Sequence, residues 1–168
     1  MGRRTRQESN GTSQNSLCLN LSNQQKELSI SLREARKALK ALLAFFEIEC
    51  EELSLFFVTE KKICDLHLQF FNDPSPTDCI SLPLDSSYLG DLFVCPKTAL
   101  LYAKKHNLDP YEETLLYVVH SFLHLIGYDD LEPKKKRVMR KMEKKCMDHL
   151  KSLGIRLEAK VGSKQPAH

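Results

Sequence analysis

Residues 118–130, VVHSFLHLIGYDD, hold the pattern that decides how this chain folds and what it carries. The spacing predicts a helix from Pro110 to Ile126, ended by Gly127. His120 and His124 stand at i and i+4, so both imidazoles leave one face of that helix, one above the other. Two ring nitrogens so placed can reach one cation at about 2.0–2.1 Å. Gly127 tolerates a positive φ, which lets the chain fold back at Tyr128-Asp129-Asp130, where a carboxylate can supply a third ligand. Spacing favours Asp130, with Asp129 as the alternative. Three protein ligands and an open fourth position distinguish a catalytic zinc site from a structural one.

An H-x-x-x-H pair alone is a weak signal, because it arises often by chance. Two neighbours strengthen it. Val118, Val119, Phe122, Leu123, Leu125 and Ile126 are apolar, so unpaired histidines among them would be costly. The helix-ending Gly and the acidic pair are what a third ligand requires. Ser121 follows the first histidine where an H-E-x-x-H metalloprotease carries its general base, which argues against peptide hydrolysis.

Working outward, Pro133 to Leu153 reads as a second long helix with Met139, Met142, Cys146, Leu150 and Leu153 as its buried stripe. Upstream, strands are predicted at Ser16–Leu21, Glu51–Thr59, Thr77–Leu82 and Leu89–Cys95. Helices are predicted at Leu28–Glu47, Glu60–Phe70 with Thr59 as N-cap, and Lys97–Lys105 opened by Pro96. Asn72-Asp73-Pro74-Ser75-Pro76 is a turn cluster. The expected fold is α+β: a single domain with a mixed four-stranded sheet, packed with four or five helices, its metal site on a long helix. Residues 1–15 read as a disordered basic and polar arm, 16–158 as the domain and 159–168 as a flexible tail.

At 168 residues with 42% apolar content the chain can build one core unaided, which excludes a disordered or collagen-like chain. No apolar run approaches membrane-spanning length. Six cysteines lack any C-x-x-C pairing, and the polar stretch Gln7–Asn15 after Arg3-Arg4 is no signal sequence. Reduced, mostly buried thiols in a cytoplasmic protein are therefore expected. Charge is unevenly placed. Lys134, Lys135, Lys136, Arg137, Arg140, Lys141, Lys144 and Lys145 face a single acid, Glu143, so residues 133–147 net +7 in a chain of +3. Clustered cations on one helix are either a solvated face or a phosphate-binding surface for structured RNA.

HSFLHLIGYDD resembles the H-G-x-x-H-L-x-G-Y-D-H signature of the YbeY family of bacterial rRNA-maturation endoribonucleases. Pro76-Thr77-Asp78-Cys79-Ile80-Ser81-Leu82-Pro83 is similar to that family's P-T-D-V-L-S-F-P strand, and Leu89–Cys95 to its L-G-D-I-x-I-S/C strand. The likeness spans roughly residues 16–153. It implies a zinc-dependent, single-strand-type endoribonuclease with one Zn2+ per chain, acting in rRNA maturation, ribosome assembly and quality control. The implied partners are structured rRNA or its precursors, and the small ribosomal subunit or its proteins, with no membrane. Carried over by position, His120, His124 and Asp130 are the metal ligands and catalytic residues, and the Thr77–Leu82 strand lines one wall of the cleft. Ser81 is a candidate phosphate donor there, while Asp78 and Asp91 read as caps or turn residues.

Two positions depart from the family pattern. Asp130 stands where the family has a third histidine, which adds negative charge and weakens a bound zinc as a Lewis acid. Phe71 stands where the family has an arginine, and an apolar ring cannot grip phosphate as a guanidinium does. These departures leave a second reading open, a non-catalytic ribosome-associated assembly factor that keeps the fold and the RNA-binding surface.

Overall fold

The computed structural model describes residues 16–85 and 87–162. The expected arm over residues 1–15, and residues 163–168 of the expected tail, lie outside the described residues. Four strands and five helices follow in the order β1 (Cys18–Asn23), α1 (Leu32–Phe45), β2 (Glu52–Phe57), α2 (Glu60–Phe71), β3 (Cys79–Pro83), β4 (Tyr88–Val94), α3 (Pro96–His106), α4 (Pro110–Leu125) and α5 (Pro133–Ser152). This is the mixed sheet in one α+β domain that the pattern of apolar residues predicted.

The sheet runs β1-β2-β4-β3. β1 pairs parallel to β2 and β2 parallel to β4, whereas β3 lies antiparallel on the edge against β4. Period-two alternation divides the side chains between two faces. Leu53, Leu55, Phe57, Leu92 and Val94 point into the main core, where they meet α1, α4 and α5. On the other face Ile63 and Leu66 of α2 pack with Val58, Ile80 and Cys95. There Phe56 and Phe93 stack with ring centroids 5.0 Å apart.

Local chemistry sets the element ends. Thr59 caps α2 as expected, its Oγ1 accepting from Lys62 N at 3.2 Å. Asp109 does the same for α4, accepting from Tyr111 N at 2.9 Å, with Pro110 in the first turn. The first helix begins at Leu32, not at Leu28 as its apolar spacing suggested. Gln25 holds the preceding loop shut, donating from Nε2 to Leu28 O at 2.7 Å and accepting from Leu28 N at 3.0 Å. Leu28 is buried as predicted, but from a loop. The thiols also differ from expectation: Cys95 and Cys146 are buried, Cys50, Cys64 and Cys79 are half-buried, and Cys18 is exposed.

Gly90 of β4 seats α4. Its φ is +153°, and a Cβ there would lie 2.5 Å from both Leu125 Cδ1 and Leu82 O. Only glycine lets the last turn of α4 press this closely on β4 and β3. On the neighbouring strand, Ser81 Oγ donates to Ser121 O at 2.5 Å, tying β3 to the middle of α4. Ser81 is thus engaged with a helix carbonyl, and the expectation of a free phosphate donor is corrected. Among the described residues no helix is long and apolar enough to cross a membrane.

Candidate metal centre

α4 is set deep in the domain, with nine of its sixteen residues buried, and its polar groups gather on the side facing β3. Glu113, Tyr117, His120 and His124 recur at i, i+4, i+7 and i+11, one stripe of a helix. The two histidines end that stripe. After them Ile126 N and Gly127 N return to Phe122 O and His124 O at 3.1 Å, and Tyr128 N to Leu123 O at 2.9 Å. Gly127 takes φ +108°, the left-handed conformation predicted from sequence, and the chain reverses.

That reversal completes the site. His124 Nδ1 lies 2.9 Å from Tyr128 O, and His120 Nδ1 lies 2.5 Å from Glu143 Oε1 on α5. A carbonyl and a carboxylate only accept, so each Nδ1 carries the proton and each Nε2 is left with a lone pair. The two Nε2 atoms face each other at 3.0 Å. Asp130 closes the triangle, with Oδ2 3.5 Å from His120 Nε2 and Oδ1 3.5 Å from His124 Nε2.

Two bare nitrogens at that separation repel unless a proton or a cation lies between them. Ligand bonds of 2.0–2.1 Å at tetrahedral angles give ligand–ligand edges of about 3.3 Å. The 3.0 Å between the nitrogens and the 3.5 Å from each nitrogen to its own Asp130 oxygen lie close to that figure, and one ligand atom from each residue falls within 4.8 Å of the others, so His120, His124 and Asp130 could hold a metal ion. Each imidazole is also oriented through its other nitrogen, as metal-binding histidines usually are. Burial alone would lower the pKa of His120. The hydrogen bond and charge of Glu143, backed by Asp78 and Asp130, outweigh it and hold the value above the ordinary histidine range.

The structure separates the two candidate carboxylates. Asp129 Oδ1 accepts from Leu131 N at 3.0 Å, and Lys135 Nζ lies 3.7 Å from its other oxygen. The Leu131 hydrogen bond first, and Lys135 after it, keep its carboxyl below the usual range. Asp129 shapes the turn, and Asp130 faces the histidines. Asp78 accepts from Cys79 N at 2.8 Å and Thr77 Oγ1 at 3.2 Å, the turn role expected of it, whereas Asp91 is no cap or turn residue: it lies inside β4 and accepts from Tyr88 Oη. β3 borders the site: burial pushes the Cys79 thiol well up, and the charges of Asp78, Asp130 and Glu143 add to it. Phe71 ends α2 exposed, its ring 5.7 Å from that of His67.

Glu143 is the residue that sequence reasoning passed over, counting it only as the one acid against the basic residues of 133–147. Its isolation was the available signal, since a single carboxylate at the rim of a buried stripe has a partner to find.

Fold and site together define a single-domain α+β protein with a two-histidine, one-carboxylate centre at the end of a buried helix. Comparison with known proteins carries this further. Residues 20–151 match the family model described as Endoribonuclease YbeY. A protein named Endoribonuclease YbeY from Protochlamydia amoebophila is 48% identical over 143 residues, covering 82% of this chain and 95% of that protein. Its namesake from Chlamydia felis is 36% identical over 137 residues, covering 76% and 87%. Among solved structures, TM1509 from Thermotoga maritima superposes with a TM-score of 0.60 at 25% identity, covering 82% of this chain and 91% of that one. The chain belongs to the YbeY endoribonuclease family.

Proposed function

We propose that this protein is a metal-dependent endoribonuclease whose catalytic centre is His120, His124 and Asp130, holding one Zn2+ per chain. The substrate is structured rRNA or an rRNA precursor, cut in single-stranded segments during maturation, assembly and quality control of the small ribosomal subunit in the cytoplasm. One observation carries the reading: in a chain of this family, two Nε2 lone pairs and a carboxylate converge while both Nδ1 atoms are tied off.

Each residue has a part derived from its surroundings. Tyr128 O and Glu143 fix the tautomers of His124 and His120, so the neutral form of each presents Nε2 to a cation. Asp130 supplies negative charge to balance a dication. When bound, the cation supplies Lewis-acid stabilisation of charge developing on a phosphoryl oxygen. α5 braces His120 through Glu143 and β3 braces α4 through Ser81, so the histidines are held against reorganisation, which would let electrostatic stabilisation act without rearrangement. The non-catalytic assembly-factor reading rested on Phe71 and Asp130. Membership of an endoribonuclease family and an intact three-ligand geometry do not favour it.

The test is cleavage of a structured rRNA fragment by purified protein, with His124→Ala and a chelator as controls. Cleavage is expected from the wild type, and neither control is expected to cut above background. Equal cutting by wild type and His124→Ala would overturn the reading.

A further inference from the structure

α5 carries basic residues on two sides, and only one side borders the metal centre. Met139, Cys146 and Leu150 form its buried stripe, and Glu143 beside them reaches His120. At about 100° per residue, Lys136 and Arg140 fall on the flank of Glu143, seven and three positions earlier. Lys141 and Lys145 fall on the outer side of the helix, and all four residues are exposed. The opposite flank is closed by α1, where the His149 ring meets Phe45 with centroids 4.8 Å apart.

Contacts in the first turn and at mid-helix set the N-terminal half of α5 alongside the site. In its first turn Lys135 Nζ lies 3.7 Å from Asp129, next to Asp130, and two turns on Glu143 contacts His120. Lys136 and Arg140 occupy the length between. Neither makes an ion pair among the described residues, whereas Lys135 faces Asp129 and Glu132, and Lys144 faces Asp148. The charges acting on His120 come from Glu143, Asp78 and Asp130, all carboxylates. These carboxylates repel an approaching phosphodiester, and cations on the rim would offset that repulsion.

We propose that Lys136 and Arg140 grip the RNA backbone beside the metal centre, Arg140 through its guanidinium fork, and so select the phosphodiester presented to it. Lys141 and Lys145 contribute only diffuse attraction. The inference rests on the RNA-cleaving reading of the same site and names the element that positions its substrate.

The test compares Lys136→Gln/Arg140→Gln with Lys141→Gln/Lys145→Gln. Both pairs have the same spacing and lose the same charge. Binding of a short fluorescein-labelled single-stranded RNA is measured by anisotropy in chelator across a salt series, with circular dichroism confirming both folds. Losing two phosphate contacts should lower the slope of log Kd against log salt by about 1.4. The rim pair is expected to show that drop with at least about tenfold weaker binding, and the outer pair a loss under about threefold. Equal losses, or none from the rim pair, would overturn the inference. The comparison needs no cleavage, so a wild type that binds RNA without cutting it defeats the endoribonuclease reading separately. With metal restored, the rim pair should also move or scatter the cut positions that the outer pair leaves unchanged.

Discussion

α4 and α5 meet at a polar contact, His120 with Glu143, yet they are built in opposite ways. α4 buries nine of sixteen residues, α5 only Met139, Cys146 and Leu150 of twenty. α4 has no Lys or Arg, whereas α5 holds nine of them. Buried packing gives α4 the rigidity that ligand geometry needs, because a close-packed interior leaves its side chains single positions. α5 leaves its charges in water, where long side chains adapt to a flexible polyanion. On the proposed reading the contrast separates two tasks: one helix would set where the metal sits, the other what comes to it.

The largest expected effect tests the buried side. Phe122, fully buried on the helix between the two histidines, meets Phe46 at a centroid distance of 6.0 Å. Phe122→Ala should cost about 3–5 kcal/mol of stability, measured by urea unfolding. A loss below 1 kcal/mol would show that α4 is not the rigid element of the pair.

An intermediate effect is expected where the helices touch. Glu143→Gln keeps the shape but removes the charge that orients His120, and should weaken Zn2+ binding about 10- to 100-fold in a competitive chelator titration. Unchanged affinity would mean that α5 serves α4 only as packing.

The smallest effect belongs to the outer surface. Lys141→Ala, exposed and without an ion pair among the described residues, should leave stability within about 0.5 kcal/mol by the same unfolding measurement. A larger change would blur the division between the two helices.

Much of the fold was legible because it rests on local rules. The four strands followed from alternating or continuous apolar runs between turn residues, and the ends of α2 and α4 from Thr59, Pro110 and Gly127. The misplaced start of α1 shows where such rules stop. Leu28 keeps helical spacing with Leu32 and is buried, but periodicity records burial and not the backbone that achieves it. Gln25, whose side chain closes the loop, left no pattern to read.

The site divides in the same way. Sequence by itself determined that His120 and His124 share a face, because helical geometry is fixed by the backbone. It determined that the chain turns back after them, because Gly127 can adopt a φ that other residues resist. It also carried the YbeY motifs, which the family match over residues 20–151 bears out. Only the tertiary structure set Asp130 beside the histidines and turned Asp129 to Leu131 N, since adjacent carboxylates differ in direction and not in chemistry. It alone brought Glu143 across 23 positions of sequence to His120, and turned Ser81 from a candidate phosphate donor into a brace on α4. Those contacts join residues distant along the chain, and their partners are set by how α4, α5 and β3 pack, which no local rule encodes.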